Sequence, residues 1–169
     1  STGTGKSNTV YQLLDKLQEQ GCKYMVIEPA KGEYKDVFGG YADVSVYGTN
    51  PMKTGKLLQI NPFSFPEEIH VLEHIDRLIE IFNACWPMYA AMPAVLKDAV
   101  EKAYEKYGWH LRTSSCVRRE FPNFGDLLEE LPKVLEGSYF SGDTQGDYEG
   151  ALITRVKSMT NGINGLVLC

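Results

Sequence analysis

Glycines, a lysine and a serine at the start of the chain have the types and the spacing that bind a phosphate group. The sequence opens STGTGKSNTV, and Gly5-Lys6-Ser7 matches the end of the phosphate-loop pattern G-x-x-x-x-G-K-[ST]. Glycines let backbone N–H groups converge on phosphate oxygens, the lysine reaches the β- and γ-phosphates, and the serine offers its hydroxyl to Mg²⁺. The pattern therefore predicts an ATP site with Mg²⁺ at Ser7, formed by Thr2, Gly3, Thr4, Gly5, Lys6, Ser7 and Asn8.

Two carboxylates form a second candidate constellation in the segment EPAKGEY. They follow the apolar run Tyr24–Ile27, which predicts a buried parallel strand. Ligands of open α/β sheets bind beyond the carboxyl ends of the strands. Glu28 could therefore orient a water or a magnesium-bound water, and Glu33 could polarise the attacking water. In the alternative interpretation Glu28 caps a turn, while Lys31 and Glu33 are solvated, and the spacing leaves both interpretations open.

Hydrophobic periodicity places these residues on a loop–helix–strand unit. The spacing predicts a helix from Lys6 to Glu19, and Gly21 stands where a helix stop is expected. Two more short strands are predicted over residues 43–47 and 57–60. The front of the chain therefore reads as the second half of a βαβ unit, and the predicted fold class is α/β with a mostly parallel sheet.

The rest of the chain has a helical pattern. Helices are predicted from Pro66 onward, over 93–107, over 124–135 with a kink or break at Pro132, and over 148–159. Residues 138–148 are predicted to form a mobile loop, and residues 166–168 to begin another strand.

We accordingly predict one domain in three parts. Residues 1–65 form the nucleotide-binding α/β part, and residues 66–140 form a helical insertion. Residues 141–169 form a return helix and the start of the next core strand.

Composition bounds the class of protein. A sequence pI of about 5.2 and a net charge of -5 argue against binding nucleic acid by bulk charge, although a few basic residues could still line a pore. The cysteines lack metal-site spacing, and Cys22 and Cys85 are predicted to be small core residues of a reduced protein. No apolar run reaches the roughly twenty residues of a membrane helix. We expect a soluble, cytoplasmic protein with no membrane partner.

Several segments together resemble the HerA/FtsK superfamily of hexameric P-loop ATPases, and HerA-like bacterial ATPases in particular. The segments are STGTGKSNTV, VIEPAKGEY, VYGTN, LQINPF and ALITRVKSMTNGINGLVL. The resemblance implies a RecA-like core of mostly parallel sheet with a helical insertion. It also implies a homo-hexameric ring that couples ATP hydrolysis to the movement of DNA or protein, with a nuclease as the partner of some members.

The resemblance also assigns roles to individual residues. Lys6 and Ser7 would serve the nucleotide and Mg²⁺, and Glu33 would lie near the γ-phosphate. Glu28 stands where relatives usually have aspartate, so its catalytic role is implied only through the retained carboxylate. Arg155 resembles a family arginine that could act in its own site, across a subunit boundary or only in packing.

The resemblance finally implies a function, with an alternative. The chain would be the ATP-binding part of a HerA-like ATPase that drives DNA translocation or processing. These 169 residues lack the family's second acidic motif, so we expect them to hydrolyse ATP poorly by themselves. The alternative is a nucleotide-regulated binding or assembly module that moves no polymer.

Overall fold

A computed structural model describes residues 5–29 and 32–169 of the chain. The chain divides into two compact units, Ser1–Lys56 and Leu57–Cys169. We call them unit 1 and unit 2 and describe each by itself. The prediction of one domain with a helical insertion stays a prediction.

The described residues of unit 1 form three helices, which are α1 (Lys6–Glu19), α2 (Glu33–Phe38) and α3 (Pro51–Thr54). The bounds predicted for α1 are confirmed. Gly21 adopts a left-handed conformation with φ 68°, which suits glycine because it has no Cβ, and the N–H of Cys22 donates to the Leu17 carbonyl at 2.9 Å. The helix therefore ends where the glycine predicts.

The predicted α/β, RecA-like core with a mostly parallel sheet is wrong for the residues that the structure describes, because they form helices and no β-sheet. The run Tyr24–Ile27 has no regular secondary structure, and Met25 and Ile27 are 82% and 79% exposed. A short apolar run indicates burial, but a strand also needs a neighbouring strand to complete its hydrogen bonds. Tyr24–Ile27 pairs with no strand in the described ranges.

The other two predicted strands are also absent from the described part of the chain. Residues 44–47 have no regular structure, and the N–H of Gly48 donates to the Lys56 carbonyl at 3.1 Å. The segment 57–60 forms one bond of this kind, from the N–H of Ile60 to the Val167 carbonyl at 2.7 Å. Single backbone bonds of this kind do not make a ladder.

Unit 2 is built from α4 (Val71–Cys85), α5 (Met92–Lys106), α6 (Phe124–Glu136), α7 (Gly142–Thr160) and α8 (Gly162–Val167). The predicted helices are therefore confirmed, with shifted ends. Helix α4 starts at Val71 and not at Pro66, because the His70 ring nitrogen Nδ1 accepts the N–H of Leu72 and caps the helix. Helix α6 continues through Pro132 to Glu136, so the proline does not break it.

The end of the chain differs from its prediction. The segment predicted as a mobile loop over 138–148 contains the first turns of α7, whose N-terminus is capped by the Ser141 side chain. Residues 166–168, predicted to begin a strand, lie at the end of α8. Small polar residues such as those of GDTQGD favour loops only weakly, and a serine cap with tertiary packing outweighs that preference.

The core of unit 2 lies where α4, α5, α6 and α7 pack together. Its fully buried members include Phe63, Leu96, Tyr104, Leu131 and Leu152. The Tyr104 hydroxyl donates a hydrogen bond to the Phe63 carbonyl, so the one polar group of that ring has a partner inside the core.

The structure also tests the predictions for two cysteines and for membrane-spanning helices. Cys22 and Cys85 are exposed free thiols, so the prediction that they are core residues is wrong. None of the helices in the described ranges is long and apolar enough to cross a membrane.

Candidate nucleotide site

The N-terminus of α1 presents the predicted phosphate-binding residues. Gly5 precedes the helix in a left-handed conformation, with φ 75° and ψ 6°, and no side chain of the described residues caps the first turn. Lys6 and Ser7 are the first two residues of α1, and both are exposed. The backbone N–H groups of a first helical turn have no partner inside the helix and carry its positive dipole end. This turn can therefore accept an anionic group.

Gly5 is held to the first turn of α1 by two hydrogen bonds from Thr9. The Gly5 carbonyl accepts both the N–H of Thr9 at 2.9 Å and the Thr9 hydroxyl at 3.2 Å, so Gly5 is tied to the first turn of α1. Asn8 is exposed in the same turn. The predicted site residues Thr2, Gly3 and Thr4 lie outside the described residues.

Glu28 has a defined structural position at the N-terminus of α2. Its Oε1 accepts the N–H of Glu33 at 3.1 Å, and its Oε2 accepts the N–H of Tyr34 at 3.2 Å. A carboxylate in this position satisfies two first-turn donors and complements the helix dipole. Glu28 therefore caps α2, as in the alternative interpretation of the sequence. Its catalytic role stays a prediction, and Lys31 lies outside the described residues.

Tyr11 joins α1 to α2 and was missed by the sequence reasoning. Its ring makes edge contacts with Tyr34 at 5.0 Å and with Phe38 at 5.9 Å between ring centroids. Its pKa is raised, first by burial and then by the negative charge of Glu33, to which it also forms a side-chain hydrogen bond. The sequence did indicate that Tyr11 lies on the same face of α1 as Ser7, because the two residues are four positions apart.

The structure therefore brings together one group of the predicted residues. Glu28 and Glu33 meet at the start of α2, and Tyr11 connects this point to the helix that begins with Lys6 and Ser7. Of these two carboxylates Glu33 is exposed, whereas Glu28 is half-buried and both its oxygens accept backbone N–H groups. An exposed carboxylate can orient a water molecule by accepting its hydrogen bond.

Arg155 belongs to unit 2, in contrast to the other predicted catalytic residues. It lies on α7, is half-buried, and its Nη1 is 4.0 Å from the sulfur of Met92 on α5. This contact is a packing contact within unit 2. The catalytic role implied by the resemblance stays a prediction.

The predicted metal ligand at this site is an oxygen atom, the hydroxyl of Ser7. No group of three or more His, Cys, Asp or Glu side chains that could hold a metal occurs among the described residues. Mg²⁺ prefers oxygen ligands, keeps several waters and is often completed by the phosphates of its substrate. The exposed hydroxyl of Ser7 in the first turn of α1 fits such a shared coordination.

His70 and His74 lie four residues apart in the sequence, and both rings form hydrogen bonds with backbone groups of unit 2. His70 caps α4, as described above, and His74 Nε2 donates to the Pro62 carbonyl at 3.1 Å while its ring stacks on Phe65. Burial lowers the pKa of His74, which suits a neutral ring. Both rings therefore serve the local structure.

The chain matches the model of the family "Helicase HerA, central domain" over residues 1–161. The match covers most of the chain, so the chain belongs to this family, and the resemblance drawn from its motifs is confirmed. Membership makes it a domain of the P-loop ATPase kind and implies nucleotide binding in general. No curated protein and no solved structure shows significant similarity to the chain.

Proposed function

We propose that this chain is the ATP-binding part of a HerA-like ATPase that couples ATP hydrolysis to DNA translocation or processing as a homo-hexameric ring. The observation that carries the nucleotide-binding part is the start of α1, where Lys6 and Ser7 follow the left-handed Gly5 in an exposed first turn. Family membership over residues 1–161 supports the ATPase class. A nuclease partner is an additional proposal from the same family.

Catalysis in this proposal is mainly electrostatic. The first-turn N–H groups of α1 and the ammonium group of Lys6 stabilise negative charge that develops on the phosphate oxygens. The Ser7 hydroxyl would hold Mg²⁺, which would supply positive charge at the phosphates. Glu33 accepts a hydrogen bond from the attacking water, and Glu28 and Tyr11 hold Glu33 at the end of α2 that faces α1.

The test is ATP binding by titration calorimetry with the Lys6→Ala variant. Loss of a charge-assisted contact of about 1.5–3 kcal/mol weakens affinity by about 10- to 150-fold. The matched control is Lys16→Ala, because Lys16 lies on the same helix and pairs with Glu19 at 2.8 Å away from the first turn. Equal affinities of wild type and Lys6→Ala would overturn the assignment of the phosphate site.

Hydrolysis separates the proposal from its alternative. We expect the 169-residue chain to bind ATP with little turnover, because the family's second acidic motif has no match in its sequence. ATP hydrolysis by the full-length protein that rises when DNA is added supports a motor. Binding of ATP without DNA-stimulated hydrolysis favours the alternative, a nucleotide-regulated binding or assembly module.

A further inference from the structure

Unit 1 contains an open groove of about 600 Å³, and none of its described lining residues is one of the predicted nucleotide-site residues. Three lysines line it, Lys35, Lys53 and Lys56, and we call it the lysine groove. Hydroxyl groups of Ser45 and Thr54 line it as well. The Thr54 hydroxyl donates to backbone carbonyls and the Ser45 hydroxyl accepts from Lys56, so the lysines are the main binding groups of the walls.

The positive charge of the lysine groove is not neutralised locally. Asp36 is its one acidic lining residue, and none of the three lysines forms an ion pair within 4.0 Å with a carboxylate of the described ranges. Instead, the Lys56 ammonium donates to the Ser45 hydroxyl at 3.0 Å. Many lysines elsewhere do pair with carboxylates, among them Lys16, Lys97, Lys102, Lys106 and Lys133. With three ammonium groups and one carboxylate, the lining has a net positive charge and creates a local positive potential.

The charge of the whole chain conceals this local surface. Residues 1–56 contain seven lysines against six acidic residues, for a formal charge of +1. Residues 57–169 contain ten basic against sixteen acidic residues, for a formal charge of −6. The negative charge of the chain therefore lies in unit 2, while unit 1 is close to neutral.

An exposed aromatic ring lies beside the lysines. Tyr47 is 55% exposed, and the Lys56 ammonium lies 5.3 Å from its ring centroid. A positively charged groove next to an exposed aromatic ring is the combination that binds single-stranded nucleic acid, because phosphates follow the charges while a base stacks on the ring. A small free anion would instead need donors that converge on one point.

We propose that the lysine groove binds the sugar–phosphate backbone of a single-stranded nucleic acid. The proposal rests on the proposed function in that both concern a nucleic-acid polymer. It adds which surface of the chain contacts that polymer, and it is independent of the nucleotide site, since Lys6 and Ser7 do not line the groove.

The experiment measures fluorescence anisotropy of a labelled oligodeoxythymidine of about twelve nucleotides as the 169-residue chain is added. Each lysine contact with a single strand contributes a slope of about −0.7 to log K against log salt, so three contacts predict a slope of about −2. At about 0.1 M salt this corresponds to about fivefold in affinity per lysine. The triple variant Lys35→Gln, Lys53→Gln and Lys56→Gln should therefore bind about 100-fold more weakly.

Matched variants test whether binding depends on the lysine groove itself. Lys23→Gln removes an exposed lysine of the same unit that does not line the groove, and it should bind like wild type. The triple variant should keep its far-ultraviolet circular dichroism and its affinity for ATP. Lys6→Ala should bind ATP about 10- to 150-fold more weakly and keep its affinity for the oligonucleotide. Tyr47→Ala should weaken binding about fivefold or more without changing the salt slope.

Three results would overturn the proposal. They are unchanged binding by the triple variant, an equal loss in Lys23→Gln, and displacement of the oligonucleotide by inorganic triphosphate at the same phosphate concentration, which would indicate a site for small anions. Wild-type chain that binds ATP but not the oligonucleotide overturns this inference alone. Wild-type chain that binds the oligonucleotide but not ATP overturns the proposed function alone.

Discussion

Tyr104 shows how a single polar atom is accommodated in the core of unit 2. Its ring is fully buried among Phe63, Phe65 and Trp109, and its hydroxyl donates to the Phe63 carbonyl. Burial raises the pKa of Tyr104 above its usual value of 10.0, because the ionised form loses its hydration there. The residue therefore links packing, hydrogen bonding and pH dependence at one position.

The Tyr104→Phe variant should be less stable by about 1–3 kcal/mol at neutral pH, because the buried Phe63 carbonyl loses the donor described above. Urea unfolding followed by circular dichroism measures this change. The control Tyr139→Phe removes an exposed hydroxyl and should have no effect. A Tyr104→Phe variant as stable as wild type would contradict the importance of this bond.

The same variant has a predicted pH signature. The unfolded chain releases the Tyr104 proton near pH 10, before the folded protein does, so the stability from this group is complete below pH 10 and falls above it. The fall is up to about 1.4 kcal/mol per pH unit. In Tyr104→Phe this component is absent, so the loss of stability above pH 10 should be less steep by about one proton.

At the scale of an element, α2 is a short helix whose start depends on one side chain. It has six residues, and a helix of this length is marginal without tertiary contacts. Glu28 supplies two acceptors to its first turn, and Tyr11 packs on Tyr34 and Phe38 from α1. The position of Glu33 is therefore set by a cap and an aromatic contact.

Replacing Glu28 by alanine should loosen the start of α2. Hydrogen exchange at the amides of Glu33 and Tyr34 should accelerate by about 2- to 30-fold, which corresponds to a lost cap of about 0.5–2 kcal/mol. Glu28→Gln keeps one oxygen acceptor and should have a smaller effect. The control Glu19→Ala alters only the pair with Lys16 at the end of α1. Unchanged exchange at both amides in Glu28→Ala would show that the cap does not stabilise α2.

At the scale of the whole molecule, the two units differ in the size of their cores. Of the buried apolar side chains in the described ranges, Leu14 and Phe38 belong to unit 1, and the remainder belong to unit 2. Stability follows buried apolar area, and local unfolding occurs where that area is small. Unit 1 should therefore open more readily than unit 2.

Limited proteolysis with mass spectrometry tests this difference. The first cuts should fall within residues 5–56, and fragments that contain α4 to α7 should persist. ATP with Mg²⁺ at about 100 times its Kd stabilises the unit that binds it by about 2.7 kcal/mol, so those cuts should slow by about 100-fold. At the same ATP concentration Lys6→Ala should reduce the protection to about 2- to 10-fold, because its affinity for ATP is lower. First cuts in α5 or α6 would contradict the predicted order.

Much of the helical structure and the family could be predicted from the sequence. The start of α1 after Gly5 and its end before Gly21 were predictable, because phosphate-loop spacing and glycine stops act through local backbone geometry. Helices α4 to α7 were predictable from apolar periodicity, whereas their ends depended on caps such as His70 and Ser141. The motifs also identified the family, since they depend on residue identity alone.

Only the tertiary structure decided which apolar runs are buried and which carboxylate has which partner. Tyr24–Ile27 has the composition of a strand but no strand partner in the described part of the chain, since pairing depends on residues distant in sequence. The sequence left open whether Glu28 orients a water molecule or caps a turn, and the folded structure shows that its carboxylate accepts two backbone N–H groups of α2. Local patterns predict local structure, but non-local contacts determine burial and hydrogen-bond partners, and these become definite only when the chain has folded.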